Sequence, residues 1–101
     1  MPEHKPEDRT RTVTVRIEGR VQGVGFRYWT EAVASELGLT GWVRNRRDGS
    51  VEAVFHGAPH DVAQMLAHCR EGPTAATVTA MAVGEEADDA SLVGFEVRPT
   101  A

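Results

Sequence analysis

One cysteine, Cys69, is all the chain carries, which excludes an internal disulfide and any multi-cysteine metal site. That usage fits a reducing compartment. No apolar run approaches the roughly 20 residues needed to cross a bilayer as a helix. Residues 1–10 are polar and contain proline, unlike the apolar centre of a signal peptide. A soluble, cytoplasmic chain is therefore expected, opening on a disordered tail over residues 1–10. Acids outnumber bases, 15 to 11, and the net charge of -4 argues against general nucleic-acid binding. With 101 residues, 41% of them hydrophobic, there is material for one domain and one core, spanning 11–101, and not for two. The charge balance and the absence of a long apolar patch make a monomer the expected state.

The charge is unevenly spread. From Arg16 to Arg47 six arginines stand against three glutamates, whereas from Asp48 onward two arginines face nine acids. A basic segment in an acidic chain suggests a small anion held locally; a solvated charged face would produce the same pattern.

Residues 12–18 (Thr-Val-Thr-Val-Arg-Ile-Glu) alternate β-branched apolar and polar side chains, the period of a strand with one buried face. Three glycines between Gly19 and Phe26 mark a loop, and Trp29, Ala32, Val33 and Leu37 then recur at helical spacing before Gly38. Residues 42–46 and 50–55 read as two antiparallel strands joined through Arg47-Asp48-Gly49. Pro59 suits the first turn of a second helix, carried on by Val62, Met65, Leu66 and Cys69 and stopped by Gly72-Pro73. Residues 77–83 and 95–98 are further strand candidates, separated by an acidic stretch, 85–89, expected to be a solvated loop. The order predicts an α+β fold: a ferredoxin-like β-α-β-β-α-β sandwich, one antiparallel sheet with two helices on one face, plus a short extra strand. Trp29, Trp42 and Cys69 are expected in its core.

The segment from Gly19 to Arg27 leaves a strand and enters a helix. Its amides, at residues Val21, Gln22, Gly23, Val24, Gly25 and Phe26, can curl around an anion at the positive end of the helix. No Gly-Lys-Ser or Gly-Lys-Thr follows, and the glycine spacing misses the dinucleotide pattern, so nucleotides are not implied. A tight turn with no ligand would need the same glycines. Arg27, at the junction with the helix, offers a planar fork for two phosphate oxygens, although a surface arginine could also stand there.

Asn45 is distant in sequence, yet a right-handed crossover returns its strand parallel to the first one. With the hairpin partner lying between them, those two strands are about 9.5 Å apart, a gap that admits a phosphate and a water. Asparagine is a poor sheet former, so its presence in a strand calls for a reason beyond the fold.

These residues resemble a known family. Gly19, Val21, Gln22, Gly23, Val24, Phe26 and Arg27 are similar to the G-x-V-Q-G-V-x-F-R signature of acylphosphatases. Gly41-Trp42-Val43-Arg44-Asn45, followed by Gly49-Ser50-Val51 and Gly57, resembles the second signature. Similarity runs on through Gly72-Pro73, the strand around Val78 and the closing Phe95-Glu96-Val97-Arg98. The resemblance implies hydrolysis of acyl phosphates by direct water attack, giving a carboxylate and inorganic phosphate, the latter as product and inhibitor. It implies Arg27 as the phosphoryl ligand beside the loop amides, Asn45 as the residue that orients water, and no cofactor. The tail over 1–10 would then have no role in catalysis.

Elementary chemistry points to the same substrate class. The motif region has no histidine or carboxylate poised as a general acid, which an alkoxide leaving group would normally need. A carboxylate, whose conjugate acid has a pKa of about 4, leaves unprotonated. Phosphoryl transfer needs mainly positioning and charge neutralisation.

Other readings are weaker. Ferredoxin-like sheets also bind RNA through exposed aromatics, a pattern that residues 51–55 lack. An acylphosphatase-like domain can serve carbamoyl phosphate chemistry within a larger maturation protein, for which no further domain is present here. His56, His60 and His68 lack a paired i, i+4 helical arrangement for a metal, and Cys69 sits on the apolar stripe of the second helix, the place of a small buried hydrophobe.

Overall fold

The computed structural model describes residues 9–89 and 91–101. The expectation of a disordered tail thus falls largely outside the described residues; Arg9 and Thr10 are exposed and outside regular structure. The elements run β1 (Arg11–Arg20), α1 (Phe26–Glu36), β2 (Thr40–Asn45), β3 (Val51–Gly57), α2 (Pro59–Glu71), β4 (Thr77–Glu86) and β5 (Phe95–Arg98). They form one sheet of order β4-β1-β3-β2-β5.

Alternation decides which face of the sheet is covered. On β1, Val13, Val15 and Ile17 are fully buried while Arg16 and Glu18 are exposed. Val51, Ala53 and Phe55 on β3 and Val43 on β2 join them. The helices close this face with Phe26, Thr30 and Ala34 from α1 and Val62, Met65, Leu66 and Cys69 from α2. Each fully buried valine or leucine side chain contributes about 1.5–3 kcal/mol. Thr30 is buried at little cost because its hydroxyl donates to Phe26 O at 2.8 Å.

This is the expected ferredoxin-like architecture, with several differences in detail. β4, β1, β3 and β2 pair antiparallel, but β5 adds to β2 in parallel, so the sheet is mixed. β1 continues through Gly19 and Arg20, since a bulge between Glu18 and Gly19 resets its register on β4 and prolongs the pairing. Glu85 and Glu86, expected in a loop, pair with Val13 and Thr12 at the end of β4, an edge strand whose side chains can stay acidic because they face water. Ala32 is exposed, because the helix is phased by Phe26, Thr30 and Ala34. Trp29 is half-buried, meeting Phe26 edge-on with ring centroids 5.3 Å apart. Trp42 is not in the core: it lies on the sheet face away from the helices, with the Arg44 and Arg98 guanidiniums 4.8 and 4.7 Å from its ring centroid.

Candidate active site

Between β1 and α1 the chain crosses residues 21–25, and the backbone must turn sharply. Gly23 and Gly25 supply the turn with φ of 74° and 78°, in the left-handed region that glycine enters without steric cost. Gly25 is the N-cap of α1, and no side chain caps the first-turn amides. No acidic residue lies in that turn. The first turn of α1 therefore presents unpaired N–H groups and the positive end of the helix dipole, with no carboxylate of its own to compete for them.

Asn45 ends β2, paired with Val51 of β3. Because β3 lies between β1 and β2, the ends of the two parallel strands stand on either side of it, and Asn45 comes beside the loop. Its main chain is braced as well: Ala101 N donates to Asn45 O at 3.0 Å, and Arg47 N donates to Ala101 O at 2.9 Å. The residue is 9% exposed, and its Oδ1 is buried with no hydrogen-bond partner among the described residues. Native structures rarely leave a buried polar atom so, and a bound water, an ion or a catalytic role accounts for such atoms.

A cavity of about 120 Å3 lies where these parts meet, lined by Val21, Gly23, Gly25, Phe26, Arg27, Tyr28 and Asn45. The structure thus brings Arg27 and Asn45 to one wall system, together with most of the loop. Gln22 and Val24 do not line it. Gln22 turns its side chain away from the cavity and donates through Nε2 to Arg46 O at 2.7 Å and Ser50 O at 2.8 Å, tying the loop to the β2–β3 turn. Val24 packs against the core. Tyr28 is the residue that sequence reading missed; an aromatic beside Arg27, off the apolar stripe of α1, was the available signal.

The basic segment resolves into paired and unpaired charges. Arg16 bonds Asp48, and Arg44 and Arg46 both reach Glu52 Oε1, at 2.8 and 3.4 Å. Arg20, Arg27 and Arg47 have no ion pair among the described residues, and of the three only Arg27 lines the cavity. Half of the clustered arginines are thus charge-paired on the surface, and of the other three Arg27 alone is placed at the cavity. No histidine, cysteine, aspartate or glutamate lines the cavity. Among the described residues no three such side chains come together as a metal site would require. Cys69 is fully buried on α2, where burial pushes its thiol up to about 12, so it is no nucleophile at neutral pH.

No helix among the described residues is long and apolar enough to cross a membrane. Comparison with known proteins agrees with the site. The family model described as Acylphosphatase matches residues 13–97. The chain is 53% identical to an acylphosphatase of Trichormus variabilis over 98 residues, 97% of this chain and 96% of that one. Its fold superposes on the acylphosphatase structure from Coxiella burnetii with a TM-score of 0.83 at 36% identity, covering 91% of this chain and 96% of that chain. For the acylphosphatase from Bacillus subtilis the TM-score is 0.84 at 32% identity, covering 87% and 98%. A match across both signatures, the whole sheet and both helices leaves one conclusion: the chain belongs to the acylphosphatase family.

Proposed function

We propose that this chain hydrolyses acyl phosphates with Arg27 as the phosphoryl ligand and Asn45 as the residue that orients the attacking water. The phosphoryl group sits against the first-turn amides of α1 and the loop amides around Gly23 and Gly25, with the Arg27 guanidinium gripping two of its oxygens. Water held by the Asn45 carboxamide attacks phosphorus as the bond from phosphorus to the acyl oxygen breaks. The carboxylate leaves without protonation. Asparagine cannot accept the water's proton, which passes to a phosphate oxygen. Inorganic phosphate is then both product and competitive inhibitor, and no cofactor takes part.

The observation that carries this reading is the buried Oδ1 of Asn45, without a partner among the described residues, in the same cavity wall as Arg27, which has no ion pair among them. Nothing in a fold-only role needs either. The same reading takes residues 11–101 as the working domain, acting as a cytoplasmic monomer without nucleic-acid partners, and the tail over 1–10 as dispensable for catalysis.

Phosphate release from acetyl phosphate, beside a phosphate monoester as control and with and without chelator, is the test. Release from the acyl phosphate alone, unchanged by chelator, is expected. In water labelled with heavy oxygen the label should enter phosphate; label in the carboxylate would mean attack at the carbonyl carbon and would overturn the mechanism.

A further inference from the structure

Of the chain's six aromatic residues, five are buried or half-buried and help build the fold. Tyr28 is the exception, 66% exposed. Its ring pairs with no other aromatic ring and its hydroxyl with no polar group among the described residues. A large apolar ring left in water contributes little to stability, so the fold gives no reason for an aromatic here.

Position supplies one. Tyr28 lies two residues after Phe26 on α1, about 200° around the helix, and so turns away from the face that Phe26, Thr30 and Ala34 bury. It stands next to Arg27 and lines the same cavity. That cavity, about 120 Å3, falls short of the roughly 300 Å3 from which pockets for whole organic ligands start. It has room for a phosphoryl group and a water, which leaves any group attached to the phosphoryl at the mouth.

We infer that Tyr28 is a specificity-determining residue whose ring receives the acyl group of the substrate. The inference rests on the cavity's being the phosphoryl site. An apolar ring at the mouth rewards an apolar, planar acyl group, which can stack on it, and offers little to a methyl group. The chain therefore discriminates among acyl phosphates in favour of aromatic ones, through contact outside the phosphoryl cradle.

The test measures kcat/KM for benzoyl phosphate and acetyl phosphate in the wild type, Tyr28→Ala and Tyr28→Phe, with inorganic phosphate as inhibitor in each. Tyr28→Ala should lower the benzoyl-to-acetyl ratio by about threefold to tenfold, and Tyr28→Phe should keep it. Inhibition by phosphate should be the same in all three. Equal losses on both substrates, or an unaltered ratio, would show that the ring only supports the helix end or does nothing, and would overturn the inference. A wild-type protein inactive on both substrates would instead remove the proposed function, and this inference with it.

Discussion

Gln22 and Ser50 are joined across the site: the Gln22 side-chain amide donates through Nε2 to Ser50 O at 2.8 Å, and the same nitrogen reaches Arg46 O at 2.7 Å. Two carbonyl acceptors fix which end of the carboxamide is the donor. The bonds lock the loop that leads into α1 and Arg27 to the turn that follows Asn45. Arg46 O and Ser50 O also accept main-chain N–H groups, so removing the amide strands neither of them. Gln22→Ala should therefore cost only about 1 kcal/mol in stability. It should cost turnover more, because a shift of about 1 Å between binding and water-positioning groups can slow a reaction a hundredfold. Gln22→Glu, which turns an acceptor toward two acceptors, should be worse than alanine in denaturation and kinetics alike; equal kcat in wild type and both variants would show that the tie does not align the site.

For Arg27, alanine should abolish phosphate inhibition together with turnover, since no other unpaired cation lines the cavity among the described residues. Lysine should rescue poorly, because a point charge cannot reproduce the two-pronged grip. Near-normal phosphate inhibition in Arg27→Ala would assign the anion to the amides alone.

Much of this was legible in the residues, and the exceptions have physical causes. The strict alternation of Val13, Val15 and Ile17 states which face of β1 is covered, and the structure follows it. Trp42 misled because size suggests a core position, whereas its even-numbered place in β2 puts it opposite Val43 and Asn45. Ala32 misled because a polar residue, Thr30, holds the buried place by bonding its own helix. The loop and Asn45 were readable because only glycine tolerates that turn and few strands contain asparagine without cause. The turn of Gln22 away from the cavity was not readable, since its partners are carbonyls that any residue would present.

Acid should loosen the β2–β3 turn. The Ser50 hydroxyl at 2.6 Å, then the Ser50 N–H at 2.9 Å, and then the Arg16 guanidinium hold the Asp48 carboxyl down to about 2, from an ordinary value of 3.8. A depressed pKa means that its contribution to stability is present above about pH 4 and is lost as pH falls through about 2. Asp48 is exposed, so salt should weaken the part that comes from Arg16. Asp48→Asn should melt below the wild type at pH 7, and the difference in Tm should shrink between about pH 4 and pH 2. A constant difference across that range would show that charge on Asp48 does not matter.

Cys69 should resist alkylation in the native protein, because its thiol is fully buried and pushed up to about 12. Iodoacetamide should modify it only on unfolding and leave the native protein's activity intact. Rapid labelling of folded protein would contradict the packing of α2.

The sharpest division in the mechanism lies between holding phosphate and directing water, and Asn45→Ala separates the two. Loss of one positioned group should lower kcat about a hundredfold to a thousandfold, roughly 3–4 kcal/mol of transition-state stabilisation. Inhibition by inorganic phosphate should be nearly unchanged, in contrast to Arg27→Ala. The decisive measurement is therefore kcat for an acyl phosphate and the inhibition constant for phosphate on folded Asn45→Ala protein: a large fall in the first with the second preserved is expected, and wild-type kcat would contradict the assignment of Asn45.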